Sequence, residues 1–225
     1  MARIVPIRLG FVKAFLLQEQ GNILVDTGSP GSASAICRAL ARVGLRPTDL
    51  SLILITHGHT DHFGSAAELQ AESGAPLAVA RADADPLRQG SNRPAQPLGA
   101  WGLPMKLGLR LGGGAPPCRP NLLLEGEASL ALYGVEATVL PTPGHTAGAL
   151  SLLLPDGQAI VGDLVMGGLM GRGRPGAPLV CEDLDAHRAS LRRLLELGLS
   201  LWHTSHGGPF PLDEVKGRLS AIEAR

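Results

Sequence analysis

The segment Thr56-His57-Gly58-His59-Thr60-Asp61-His62 carries four side chains able to bind a metal within six consecutive positions. It follows Leu52-Ile53-Leu54-Ile55, an apolar run of the length of a buried strand. It precedes Phe63-Gly64-Ser65-Ala66-Ala67-Glu68-Leu69-Gln70, which reads as the opening of a helix. A strand-to-helix turn lets loop backbone aim several side chains at one point. Neutral imidazole and carboxylate groups reach zinc at about 2.0–2.2 Å. At this spacing His57 and His59 can grip one ion while Asp61 and His62 turn toward a second. A solvated polar loop accounts for an isolated His-x-His, but not for His-x-His-x-Asp-His behind a buried strand.

One loop does not supply enough ligands for metal chemistry, so further polar groups at strand ends are expected to join it. Three qualify: His145 in Pro143-Gly144-His145-Thr146, Asp163 in Gly162-Asp163, and His206 in Ser205-His206-Gly207-Gly208. Each follows an apolar run and is flanked by glycine or proline, as a ligand on a tight loop would be. His203 competes with His206, but it alternates with Leu199 and Leu201 and is expected to point into the packed face of its strand. His187 lies inside an amphipathic helix and reads as structural. Imidazole and carboxylate without thiolate suit zinc, and are also compatible with iron or manganese. Two ions about 3.5–4 Å apart can share a water and make it nucleophilic near neutral pH. Its target would be an electrophilic carbonyl or phosphorus, with Asp61 both a ligand and the group that orients the nucleophile.

The elements that must position these groups are legible from period and punctuation. Phe11–Gln18 and Asn22–Asp26 read as two strands joined across Glu19-Gln20-Gly21. A helix from Ser32 presents Ala35, Ile36, Ala39, Leu40 and Val43 and stops at Gly44. Leu50–Ile55 feeds the histidine segment, the following helix ends near Gly74, and Leu77–Ala80 is a short strand. Strands are expected again at Ala128–Tyr133, Val135–Leu140, Leu150–Leu154, Ala159–Gly162 and Leu199–Thr204. Helices are expected over Leu184–Leu197 and from Leu212 through Ile222. Residues 89–120 break the pattern with six prolines and Gly112-Gly113-Gly114. Only Trp101–Leu111 could hold an apolar element there, which suggests a lid over the site. A weak internal repeat relates Gly21–Asp26 to Gly157–Asp163, each a turn and a strand ending in aspartate. Two β-rich halves with helices packed outside two facing sheets follow from it.

Composition narrows the setting. Hydrophobic residues at 44% fit a packed globular chain, and aromatics at 3% leave the core to aliphatic side chains. A net charge of +0 offers no basic footprint for nucleic acid. No leader-like stretch or membrane-length apolar run is read, and three cysteines without Cys-x-x-Cys suit free thiols in a reducing cytoplasm.

Together these segments resemble the metallo-β-lactamase-fold hydrolases, with a glyoxalase II-like core. Asp26 in Val25-Asp26-Thr27-Gly28 is similar to the family's first motif, a carboxylate that supports the metal loop from behind. The His57–His62 cluster resembles the second motif, Pro143-Gly144-His145-Thr146 the third, Gly162-Asp163 the fourth and His206-Gly207 the fifth. The resemblance implies an α/β (α+β) fold, a four-layer αββα sandwich with the site at one edge, formed by a single domain over 1–225. It also implies that His57, His59 and His145 bind one metal, that Asp61, His62 and His206 bind the other, and that Asp163 bridges them. One departure is that the fifth histidine follows Thr204-Ser205 rather than Pro-Gly.

The resulting expectation is a dinuclear hydrolase of a small ester, thioester or lactone, carrying two divalent ions, zinc foremost. Exported β-lactamases of this fold generally lack the bridging aspartate. Quorum-type lactonases carry a tyrosine shortly after it, where this chain has Leu164-Val165-Met166-Gly167. Glyoxalase II enzymes usually add a C-terminal helical domain, and this chain stops soon after the fifth motif. An alternative on the same ligands is a mononuclear iron sulfur dioxygenase. A metal-stabilised scaffold without activity is a third possibility, disfavoured because structural zinc closes with four ligands. The partner expected is a small-molecule substrate, with no nucleic acid and no membrane.

Overall fold

The computed structural model describes residues 1–98, 102–104, 106–107, 114–167 and 173–218. Two six-stranded sheets carry the architecture. The first runs in the order β1 (Arg3–Leu9), β2 (Val12–Gln18), β3 (Asn22–Val25), β4 (Leu52–Leu54), β5 (Leu77–Ala80) and β7 (Leu122–Leu124). The second runs β14 (Phe210–Pro211), β13 (Leu201–His203), β11 (Gln158–Ile160), β10 (Leu150–Leu153), β9 (Thr138–Pro141) and β8 (Ala128–Ser129). A short pair, β6 (Gln96–Pro97) with β12 (Val180–Cys181), lies apart from both.

Period-2 patterning divides the side chains of the first sheet between two apolar layers. Phe15, Leu17, Ile23, Val25, Leu52 and Leu54 face the second sheet, where they meet Val139, Leu150, Leu152 and Ile160. The intervening residues Ala14, Leu16, Leu24, Ile53 and Ile55 turn outward under Ile36 and Leu40 of helix α1 (Ala33–Arg42) and Leu69 of the helix Ala66–Ser73. On the far side Ala159, Val161 and Trp202 pack beneath Leu191 and Leu194 of the helix Leu184–Glu196. Three apolar layers therefore separate four layers of structure, helix, sheet, sheet and helix, the αββα sandwich.

Strand direction gathers the chemistry at one edge. β3 and β4 are parallel, as are β11 and β13, while β9 and β11 both run antiparallel to β10. The C-terminal ends of β3, β4, β9, β11 and β13 consequently open toward the same edge, and each of these strands leads into a segment carrying a candidate site residue. The turn between β1 and β2 reaches that edge too, because β2 runs antiparallel to β3.

Several expectations need correction. Arg3–Leu9 forms a seven-residue edge strand that the apolar pattern did not reveal. Its charged ends and Pro6 obscure the alternation, yet an edge strand tolerates proline because one side of its backbone needs no partner. Phe11 is therefore the tip of a hairpin rather than the start of a strand. The segment expected as a strand over Ala128–Tyr133 keeps only Ala128–Ser129 in the sheet and closes in a 3-10 turn at Ala131–Tyr133. The helix after the histidine segment is two pieces, Thr60–Phe63 and Ala66–Ser73. Within 89–120, β6 pairs with β12, and residues 102–104 and 106–107 are helical, with Leu103 and Leu107 exposed. Trp101, Met105, Leu109 and Leu111, on which the lid expectation rests, lie outside the described residues, as do Leu219 and Ile222. Among the described residues no helix is long and apolar enough to cross a membrane.

Phe15 is fully buried between the sheets and meets the His203 ring edge-on at 5.9 Å. Phe15→Ala should lower unfolding free energy by about 3–5 kcal/mol, whereas Leu132→Ala, at a 95% exposed position, should stay within about 0.5 kcal/mol. Urea unfolding of the two variants checks the contrast, and equal losses would place Phe15 outside the packed layer.

Candidate metal centre

Asp26 follows β3 with φ at 62°, a left-handed conformation that non-glycine residues adopt only under constraint. The constraint is its own carboxylate, fully buried, which accepts from the Thr56 backbone N–H at 2.8 Å and from Thr56 Oγ1 at 2.8 Å. The same carboxylate stands 2.8 Å from His62 Nδ1. One side chain thus fixes both ends of the histidine segment. The turn is shut further by Thr27, whose N–H and hydroxyl both donate to the His62 carbonyl.

Three of the other four candidate imidazoles, His57, His145 and His206, are also anchored through Nδ1. His145 Nδ1 stands 2.8 Å from the Val180 carbonyl and His206 Nδ1 stands 3.0 Å from the Phe11 carbonyl. Carbonyl oxygen can only accept, so each ring carries its proton on Nδ1 there. His57 Nδ1 faces Thr56 Oγ1 at 3.1 Å, and that hydroxyl already donates to Asp26. The consequence is uniform: Nε2 of His57, His62, His145 and His206 presents a lone pair whenever the ring is neutral. His59 is turned the other way, its Nδ1 lying 3.0 Å from His145 Nε2.

These atoms converge. His57, His59 and His145 form one group whose ligand atoms all lie within 4.8 Å of one another. Asp61, His62 and His206 form a second, and His57, His62 and Asp163 a third that links them. Asp163 Oδ2 is 3.6 Å from His62 Nε2, 3.6 Å from His145 Nε2 and 3.4 Å from His206 Nε2, a position between the two imidazole groups. Asp61 Oδ2 is 3.3 Å from His206 Nε2, and Asp61 retains some exposure at 15%. All seven sequence-selected residues are therefore brought to one place. His203 and His187 are not: His203 bonds Gln158 Oε1 at 2.8 Å, and His187 Nε2 bonds the Leu164 carbonyl at 2.9 Å.

The electrostatics fit a cation. Nε2 of His57, His62 and His206 and Oδ1 of Asp163 are buried without a hydrogen-bond partner, which is costly unless something else compensates them. Burial pushes His57 well below the ordinary histidine value, and pushes His59 and His145 down to about 4, so these rings are neutral and available as ligands. Burial would push His62 and His206 down as well. Asp163 and Asp61 beside them more than offset it, raising His62 well above the ordinary value and His206 to about 10. Without a cation, protons on these two imidazoles balance the carboxylates.

Residues that sequence reasoning missed surround the centre. Thr56 and the Phe11 carbonyl set ring orientation, as described. Asp83, fully buried, bonds to both the His57–His59 loop and the loop after His145, and beside it sits Arg93, which pairs in turn with Glu182. A signal for Asp83 existed, since it follows the apolar strand Leu77–Ala80 as Asp26 follows Ile23–Val25. It belonged to no histidine-containing segment, and so carried no mark of metal chemistry.

A family model described as the metallo-beta-lactamase superfamily matches residues 7–206. A probable metallo-hydrolase of Methanocaldococcus jannaschii is 28% identical over 159 residues, 71% of this chain and 69% of that protein. A hydroxyacylglutathione hydrolase of Anaeromyxobacter dehalogenans is 37% identical over 150 residues, 66% of this chain but only 44% of the relative's length. Among solved structures, a metallo-beta-lactamase family protein from Thermus thermophilus superposes with a TM-score of 0.71 at 26% identity, covering 99% of this chain and 78% of its own. The MIM-2 metallo-beta-lactamase gives a TM-score of 0.70 at 27% identity, with the same coverages of 99% and 78%.

Cation uptake must displace the protons held on His62 and His206, because a metal ligand is a deprotonated imidazole. At pH 8 His206, with its value near 10, is protonated in the chelator-treated protein. Titration with a divalent ion should then release protons, and the release attributable to His206 should fade as pH rises past about 10. Calorimetric titration in two buffers of different ionisation enthalpy measures it. No release at pH 8 would mean that both rings are already neutral.

Proposed function

Because the chain belongs to the metallo-β-lactamase superfamily and is thereby a metal-dependent hydrolase, we propose that its seven convergent ligand groups hold two divalent ions, zinc foremost. We propose hydrolysis of a small ester, thioester or lactone there. The observation that carries the reading is the set of buried, unpartnered ligand atoms on His57, His62, His206 and Asp163, gathered into overlapping groups at one sheet edge. His57, His59 and His145 would hold the first ion, Asp61, His62 and His206 the second, with Asp163 between them. Ions so held supply a Lewis acid for the substrate oxygen and lower the pKa of a water toward neutrality.

The chain's own groups supply the rest. Asp61 is the carboxylate of the set with the most exposure toward solvent, 15% against 5% for Asp163. It is thus the one positioned to orient an incoming water. Burial alone would raise its pKa, but His62 and His206 hold it well below the ordinary carboxylate range, so it is ionised at neutral pH and serves as a hydrogen-bond acceptor that orients the water rather than as a base. Asp26 and the Phe11 carbonyl keep His62 and His206 in the tautomer that presents Nε2. Likeness to a protein named hydroxyacylglutathione hydrolase supports the thioester arm of the substrate class. Three free thiols, Cys37, Cys118 and Cys181, support a reducing compartment, the cytoplasm.

Two metal ions per chain are expected by elemental analysis. A single iron would replace this reading with oxygen chemistry at a mononuclear centre. Asp163→Ala should reduce metal content and thioester hydrolysis together, by more than about 100-fold in turnover, beyond the range for loss of an outer partner. Asp26→Ala, which loosens His62 without removing a ligand, should fall within that range of about 10–100-fold. Metal content and steady-state rates on ester, thioester and lactone panels measure both. Unchanged values for Asp163→Ala would take that residue out of the site.

A further inference from the structure

The two loops that would hold the first ion are joined by a buried carboxylate that is not one of its ligands. Asp83 Oδ2 accepts from the Gly58 N–H at 2.7 Å and from Thr146 Oγ1 at 2.6 Å. Its Oδ1 accepts from the Gly148 N–H at 3.0 Å and lies 3.4 Å from Arg93 Nε. Gly58 separates His57 from His59, and Thr146 follows His145. The carboxylate therefore touches the chain between two members of the first histidine group and beside the third.

The arrangement is closed from the other side as well. Arg93 donates its backbone N–H to the Gly58 carbonyl at 3.2 Å, so both polar groups of Gly58 are held. Its guanidinium pairs with Glu182 at 2.5 Å, and Glu182 accepts from the Ala147 N–H at 2.8 Å. Close approach is built into the sequence at Gly148, where a Cβ would lie 2.6 Å from the Asp83 carboxylate. A buried carboxylate with three hydrogen bonds and a guanidinium beside it is well compensated, and the bonds it accepts are of the strong, charge-assisted kind.

We propose that Asp83 is a positioning residue for the first metal site, a clasp that sets the separation of His57 and His59 from His145. The proposal rests on those three histidines holding an ion. An amide in place of this carboxylate could not accept on both sides. Whichever way it turned, its NH2 group would face N–H donors, at Gly58 or at Gly148 and Arg93. The loops then separate or twist, and the imidazoles no longer meet one ion in one geometry.

Cobalt(II) titrated into the chelator-treated full chain tests this, read by its visible absorption and by competition with a chromophoric chelator. Asp83→Asn should weaken the tighter cobalt site about 10–100-fold, the range found when an outer partner of a ligand is lost, and should shift the absorption band. Thr146→Val removes one of the bonds while keeping size and Asp83. It should weaken the site in the same direction by a smaller factor, and it decides the question if Asp83→Asn does not fold. Urea unfolding of the metal-free chains is the control. Lowered stability with cobalt affinity and band unchanged would overturn the proposal and make Asp83 a fold residue only. A wild-type chain that takes up no cobalt would instead overturn the metal reading itself, and the clasp with it.

Discussion

The constraint on which the site depends is the removal of five imidazoles and the Asp163 carboxylate from water at the meeting of two sheets, with Asp61 at the rim. Asp163 is 6% exposed and the five histidines no more than 2%. Desolvation on this scale is unfavourable for every charged form present. Opposite charge in contact is what compensates it, whether protons on His62 and His206 or divalent cations in their place. The fold does not create this demand gently, because the strands ending there are buried on both faces. It tolerates the demand because four of the five rings, His57, His62, His145 and His206, are held through Nδ1, so little conformational freedom remains to be lost there when a cation enters.

Pinning has its own cost, concentrated at Asp26. A non-glycine residue at φ 62° is strained, and what holds it is the set of bonds from its carboxylate to Thr56 and His62. The strain and the support are one feature. Turning the backbone at the end of β3 is what swings the carboxylate under the loop after β4, and parallel pairing of those strands brings the two ends level.

Much of this was legible in the sequence because metal ligands are short-range signals. His57 to His62 declare themselves by spacing, and His145, Asp163 and His206 by standing just beyond apolar runs with glycine beside them. Phe15–Leu17 and Ile23–Val25 were legible as strands, but as continuous apolar runs buried on both faces they did not tell which side chain entered which layer. What escaped shares a physical cause. Arg3–Leu9 is an edge strand, where burial imposes little pattern, and Leu122–Leu124 is a short strand that emerges from a proline-rich stretch. Asp83 and the Phe11 carbonyl act through contacts made across long sequence separations, 63 residues to Thr146 and 195 to His206. No local pattern encodes a backbone carbonyl as a partner, so the hairpin tip could not be recognised before the strands were paired.

The two halves of the centre are consequently held by different means. The first histidine group is clasped from within, by groups buried between loops of both sheets. In the second, His62 is held by Asp26 and His206 by the β1–β2 hairpin. Phe11 gives its carbonyl to His206 and stacks its ring on that imidazole at 5.7 Å and 12°, yet the residue is 45% exposed. Lys13 ties the same hairpin to the loop around His206, through its backbone N–H to the Ser205 carbonyl and its ammonium to the Gly207 carbonyl. A hairpin tip has few buried contacts, and local opening draws on such regions first. Motion of the tip would release His206 before it disturbed His57, His59 or His145. The centre thus joins a group tied together by buried bonds to one in which His206 is tied to a surface turn while His62 is held by buried Asp26.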